Sequence, residues 1–172
     1  MRVVLTGVES TGKSTLAPNL AGHFGGTFVP EFGREWAERH GLDFTPEALR
    51  QIAAGQLASR TAIAAARPQL IIEDTDIVMT SAWSRTLYGC RDPWLSAIPA
   101  DADAYLLFAA DTPWIDDGTR QFGGDDRRRF DAVIAAELAA RGIVPARIAG
   151  DWPMREAAAI AAISALLNAQ AH

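Results

Sequence analysis

Gly7-Val8-Glu9-Ser10-Thr11-Gly12-Lys13-Ser14 decides the fold of this chain. It follows a short apolar run, Val3-Val4-Leu5, that reads as a strand. It precedes Leu16, Ala17, Leu20, Ala21 and Phe24, which recur at roughly helical spacing. The pattern is G-x-x-x-x-G-K-[ST] between strand and helix, the context that makes it a phosphate-binding loop rather than a glycine-rich turn. Gly7 and Gly12 permit backbone conformations that a Cβ forbids, so successive N–H groups point inward. Those groups and the helix N-terminus form a cradle for phosphate oxygens. Lys13 reaches between the β- and γ-phosphates, and Ser14 offers its hydroxyl to Mg²⁺. Together with Glu9, Ser10, Thr11 and Thr15 these residues form the expected nucleotide-binding set, with ATP and Mg²⁺ as the expected cofactors.

At 172 residues the chain is long enough for one domain with a sizeable core. A net charge of −5 argues against a nucleic-acid partner. It leaves room for a nucleotide, which needs only a local cluster of positive charge. The single cysteine, Cys90, excludes an internal disulfide and any multi-cysteine zinc site. The start lacks a charged-then-apolar leader, and no apolar run approaches the roughly 18 residues needed to cross a membrane. The expectation is a cytoplasmic protein acting on a small-molecule, nucleoside-like substrate, with no membrane partner.

Strand and helix alternate along the chain, the signature of a parallel sheet with helices on both faces. Strands are expected at 2–6, 27–29, 70–72, 104–109 and 143–148, and helices at 13–24, 31–40, 45–66, 77–88, 125–141 and 153–169. Thr45-Pro46-Glu47 opens one helix with an N-cap, a proline at the first position and an acid in the first turn. Residues 89–99 read as a loop anchored by Trp94. Residues 111–124, rich in Gly, Asp and Pro, read as a mobile lid. The fold class is therefore α/β, a P-loop NTPase with a five-stranded parallel sheet. Its phosphate loop lies at the carboxyl end of the first strand, where such sheets bind ligands.

An apolar strand ending in an acid is the usual partner of this loop, holding Mg²⁺ or its water. Leu70-Ile71-Ile72-Glu73-Asp74 fits, with Asp74 or Asp76 as the acid. Asp76 also stands where a carboxylate would simply cap the next helix. Glu31-Phe32-Gly33-Arg34-Glu35 follows the second strand at the same edge of the sheet. Glu31 is a candidate for binding acceptor hydroxyls or acting as base. Arg34 is a candidate for binding a phosphate or acidic group, against a plain surface pairing with Glu35 or Glu38. Phosphoryl transfer needs positive charge over the equatorial oxygens, with water excluded. Arg120 in the lid and Arg127 in the following helix are candidates for it. His23, His40 and His172 lack metal-ligand spacing. One or two of the five tryptophans are candidates for stacking a flat ring.

Several pieces, in this order, resemble one family. They are the phosphate loop, Glu31-Phe32-Gly33-Arg34-Glu35, Asp74-Thr75-Asp76 with Thr80, Tyr88-Gly89, and Trp114-Ile115-Asp116-Asp117-Gly118-Thr119-Arg120. The chain resembles the nicotinamide riboside kinase domain at the C-terminus of bifunctional bacterial NAD-biosynthesis regulators, a group among the AAA-like P-loop ATPases. The resemblance implies a nucleoside-kinase-like fold. It implies transfer of the ATP γ-phosphate to the ribose 5′-hydroxyl of nicotinamide riboside, giving nicotinamide mononucleotide. It also implies a kinase standing without the family's adenylyltransferase and DNA-binding parts. Members of the family hold the nicotinamide ring between two aromatics. The corresponding positions here are Pro30 and Thr61, which leaves Phe32, Trp36 or Trp83 as substitutes. The expected catalytic set is Lys13, Asp74, Asp76, Arg120 and Arg127, with Ser14 and Asp74 at the metal. The expected acceptor set is Glu31, Phe32, Arg34, Trp36 and Trp83. A kinase for another small acceptor and a nucleotide-binding switch without transfer are the alternatives.

Overall fold

The computed structural model describes residues 1–115 and 122–170. Its elements run β1 (Arg2–Gly7), α1 (Lys13–His23), β2 (Thr27–Val29), α2 (Phe32–His40), α3 (Pro46–Ala64), β3 (Ile71–Asp74), α4 (Ile77–Tyr88), α5 (Pro93–Ala97), β4 (Ala104–Phe108), α6 (Gly124–Ala140), β5 (Ala146–Ile148) and α7 (Trp152–Gln170). The five strands form one parallel sheet in the order β2-β3-β1-β4-β5.

Strand β1 is central and buried along its whole length. A strand covered on both faces needs apolar side chains in both directions, and alternation then sorts them. Val3 and Leu5 pack with Leu16 and Leu20 of α1 and Ile163 of α7. Val4 points the other way, into a cluster with Val78 and Met79 of α4 and Phe130 and Ile134 of α6. The neighbours β1 and β3 are thus followed by helices on opposite faces. The crevice at their carboxyl ends is a topological switch point, where open α/β sheets take ligands. The register pairs Leu5 with Asp74, which sets that acid beside the start of the phosphate loop.

Three expectations change. Strand β3 extends through Asp74 rather than ending at Ile72, because the buried Glu73 finds partners in Arg2 and Gln56. Strand β5 is shorter than expected. Gly142 turns the chain at φ +70°, and Pro145 has no N–H for a ladder, so pairing starts at Ala146. Residues 93–97 are a short helix rather than loop. Asp92 caps it by accepting from the N–H groups of Trp94 and Leu95, and Pro93 occupies its first position. That turn drives Leu95 inward, 1% exposed, and leaves Trp94 outside at 44%. The anchor is Leu95. Among the described residues no helix is long and apolar enough to cross a membrane.

Candidate active site

The phosphate loop leaves β1 at Gly7, whose φ of +133° suits glycine alone. A Cβ there would also lie 2.5 Å from the Phe108 carbonyl oxygen. Ser10 and Gly12 also take positive φ, +59° and +87°. Gly12 caps α1 without a side-chain hydrogen bond, so the first-turn N–H groups keep their capacity for an anion. The loop is braced from inside. The Thr11 hydroxyl donates to the Val8 carbonyl (2.9 Å), and Lys13 Nζ donates to the same oxygen (2.9 Å) and to Thr11 Oγ1 (3.4 Å). Burial lowers the Lys13 pKa, and Asp74, Glu31 and Glu9 pull it back up.

The loop is also fastened from outside. Arg127 is buried, and its guanidinium donates to the carbonyls of Thr112 (2.5 Å) and Glu9 (3.0 Å) and to Thr112 Oγ1 (3.1 Å). The Thr112 hydroxyl donates to the Ser10 carbonyl (2.7 Å), and the Phe122 N–H donates to Glu9 Oε2 (3.3 Å). Arg127 therefore clamps the loop tip to the start of the 111–124 segment through backbone carbonyls. From the other side Arg155, 1% exposed, donates to the carbonyls of Gly150 (2.7 Å), Ala109 (3.2 Å) and Thr11 (3.4 Å) and pairs with Asp111. Arg120 lies outside the described residues, as does the rest of 116–121 in the expected lid.

Asp74 and Asp76 are both 2% exposed and differ in their partners. Asp76 Oδ1 accepts the Val78 N–H (2.9 Å) and caps α4, while Oδ2 accepts the Tyr105 hydroxyl (2.5 Å). Both Asp76 oxygens are thus engaged within the fold, and the residue also lines the cavity described below. Asp74 lies beside the Ser14 hydroxyl, and among the described residues its Oδ1 is buried with no hydrogen-bond partner. Burial raises its pKa, and Lys13, Ser14 and Arg34 oppose the rise. An orphaned carboxylate oxygen beside a hydroxyl at a phosphate cradle fits Mg²⁺, which takes one or two protein oxygens and completes its shell from phosphates and water. No cluster of three metal-ligating side chains occurs among the described residues.

A cavity opens from Gly12, Lys13, Ser14 and Thr15 toward α2, α3 and α4. Glu31 and Arg34 stand in its wall. Glu31 is half-buried, and burial together with Asp74 pushes its pKa up to about 7 against the pull of Lys13 and Arg34. Arg34 faces the cavity while Glu35 pairs with Arg39 (2.7 Å). The far wall is apolar and aromatic: Phe44, Ile52, Met79, Trp83 and Phe130. The Trp83 ring lies 5.3 Å from Phe44, 4.7 Å from Phe122 and 5.2 Å from Phe130, centroid to centroid.

The family model described as an AAA domain matches residues 2–155. The chain belongs to that family. This AAA domain is similar to the trifunctional NAD biosynthesis/regulator protein NadR of Escherichia coli (strain K12), at 30% identity over 154 residues, which cover 85% of the chain and 37% of that protein. The NadR of Salmonella typhimurium (strain LT2) is 31% identical over 144 residues, 79% of the chain and 35% of its own length. The chain thus spans little more than a third of the curated relatives it matches. Among solved structures, a NadR protein in complex with NR superposes at a TM-score of 0.79 with 26% identity, over 94% of this chain and 50% of that one. A deoxyadenosine kinase from M. mycoides shares the fold at a TM-score of 0.63 and 13% identity, over 98% of this chain and all of the other. The fold is that of a P-loop kinase.

Of the acceptor residues expected in this AAA domain, Glu31, Arg34 and Trp83 line the cavity, and Phe32 and Trp36 do not. The Phe32 ring packs against Gly55, and Trp36 stacks on His40 at 4.0 Å, because α2 turns those positions away from the crevice. Thr61 lies on an exposed part of α3, its hydroxyl bonded to the Leu57 carbonyl. The cavity aromatics missed in the sequence are Phe44 and Phe130. Phe44 had a signal: it stands just before the Thr45 cap with Leu49 four residues into the helix, the spacing of a hydrophobic staple.

Proposed function

We propose that this chain is an ATP-dependent kinase that phosphorylates nicotinamide riboside on its ribose 5′-hydroxyl. One observation carries the proposal. A single cavity is lined by the phosphate cradle, by Glu31 and Arg34, and by the aromatic side chains of Phe44, Trp83 and Phe130. The likeness to NadR proteins, one of them solved with NR, supports nicotinamide riboside as the acceptor.

In this proposal the α1 N-terminus and Lys13 bind the β- and γ-phosphates. Ser14 and Asp74 hold Mg²⁺, which when bound neutralises charge on the phosphate oxygens. Trp83 and Phe44 bind the base by stacking and burial. Glu31 accepts the proton of the 5′-hydroxyl as that oxygen bonds to the γ-phosphorus. The bond to the bridging oxygen breaks, and ADP leaves with that electron pair. Catalysis is mainly positioning and charge stabilisation.

The test is ADP release from Mg-ATP with nicotinamide riboside, other nucleosides and small alcohols. Strong stimulation by nicotinamide riboside, lost in Lys13→Ala, is the expected result. Stimulation by a different acceptor alone moves the substrate and keeps the chemistry. Nucleotide binding without stimulation by any acceptor favours a switch module.

A further inference from the structure

The carboxamide of Gln56, on α3, touches both acid-bearing segments of the site. Gln56 is 5% exposed. Its Oε1 accepts the N–H of Phe32 (2.8 Å), and its Nε2 donates to the Thr75 carbonyl (3.2 Å) and to Glu73 Oε1 (3.1 Å). Phe32 opens α2 directly after Glu31, whose side chain gives the helix no cap. Gln56 supplies the missing acceptor from a neighbouring helix. Thr75, at φ +63°, is the turn between Asp74 and Asp76. We propose that Gln56 is a positioning residue that sets the separation of the Glu31 and Asp74 segments, its carboxamide held in one orientation by the Phe32 N–H, the Thr75 carbonyl and the Arg2-paired Glu73.

A carboxamide fits a site in two orientations, and its surroundings choose one. Glu73, 1% exposed, receives Arg2 on Oε2 (2.6 Å) and Gln56 on Oε1, so both its oxygens act as acceptors. Arg2 is held in turn by Asp101 (2.5 Å). The NH₂ end of Gln56 must therefore face Glu73, which leaves Oε1 for Phe32. Both N–H groups of Gln56 are already engaged, so although it lines the cavity it has no donor for an acceptor molecule. The consequence for catalysis rests on the transfer proposed above; the relay itself rests on the hydrogen bonds alone.

The deciding variant is Gln56→Met, which keeps the volume and removes both the acceptor of the Phe32 N–H and the donors to Thr75 and Glu73. Amide exchange at Phe32, read by NMR, is expected to speed up at least about tenfold, the loss of one well-made protected bond. The kcat is expected to fall about ten- to a hundredfold, as misplacement of reacting groups does. ATP affinity without acceptor stays within about twofold, because the phosphate loop is untouched. Fast Phe32 exchange with a kcat loss and an unchanged acceptor KM supports positioning. Unchanged Phe32 exchange overturns it, and so does a loss in acceptor KM alone, which makes Gln56 a binding residue. Should Gln56→Met fail to melt cooperatively, Gln56→Glu decides: it keeps an acceptor for Phe32 and leaves the Thr75 carbonyl without its donor, so kcat is expected to fall at an unchanged acceptor KM, and a wild-type kcat overturns the proposal. If wild-type protein transfers phosphate to no acceptor, the proposed function fails, and Phe32 exchange still judges the relay.

Discussion

Asp74 and Asp76 are equally buried, yet only Asp74 keeps an oxygen available to a cation. Their asparagine variants should therefore separate. Asp74→Asn removes a buried charge that burial already disfavours, so its Tm should hold or rise while kcat falls about a hundredfold or more. Asp76→Asn weakens the cap and the Tyr105 bond, so its Tm should fall, by an amount worth about 1–3 kcal/mol for a damaged buried pair. Paired melting and rate measurements check both. Glu31 gives a pH test. Its pKa stands at about 7 in the fold against 4.5 ordinarily, so its neutral form stabilises the fold fully below pH 4.5, and that contribution is lost as pH rises through 7. Glu31→Gln should melt above wild type at pH 8, with the gap closing toward pH 4.5. Wild-type rate should rise through pH 7 as the base ionises, and the variant should lack that rise. The placement of Lys13 and Ser14 at the cradle was legible in the sequence because their spacing is fixed by one continuous backbone turn. Which of Asp74 and Asp76 keeps an unpartnered oxygen was not, because it depends on the positive φ of Thr75 and on Tyr105, 29 residues further along.

Helices α2 and α3 meet where Phe32 lies over Gly55, and that contact places the wall carrying Glu31 and Arg34. A Cβ at Gly55 would come within 2.2 Å of the Phe32 ring. Alanine in a helix interior normally stabilises by about 1 kcal/mol over glycine. Here Gly55→Ala should instead lower the Tm and weaken acceptor KM more than ATP KM, because displacing a packed phenylalanine costs about 1.5–3 kcal/mol. Thermal melting and the two KM values check the sign. The opening of α3 was legible from Thr45-Pro46-Glu47, where cap and proline act within one turn. Asp92-Pro93 sends the same signal for α5, but over five residues it yielded no period, and the bulk of Trp94 drew attention from the smaller Leu95. Phe32 and Trp36 offer suitable rings but lie off the cavity. Which face of α2 meets the crevice depends on its docking to α3, which no local pattern carries.

Across the molecule, the sheet order brings the carboxyl ends of β1 and β3 together, and two arginines from the C-terminal part of the chain hold the phosphate loop there. Arg127 reaches Glu9 and Arg155 reaches Thr11 across 118 and 144 residues of sequence. The α/β class and the five strands were legible because each strand is a short apolar run followed by a helix signal. Those long-range clamps were not, since an arginine bound to backbone carbonyls leaves no partner residue type to recognise. The central claim is phosphoryl transfer from the cradle to an acceptor in the aromatic cavity. Following the γ-phosphate label of Mg-ATP in the presence of nicotinamide riboside tests it most directly. The label should appear on the nucleoside 5′-oxygen, one phosphate per ADP formed. Label found only as inorganic phosphate, at a rate indifferent to the nucleoside, would contradict it.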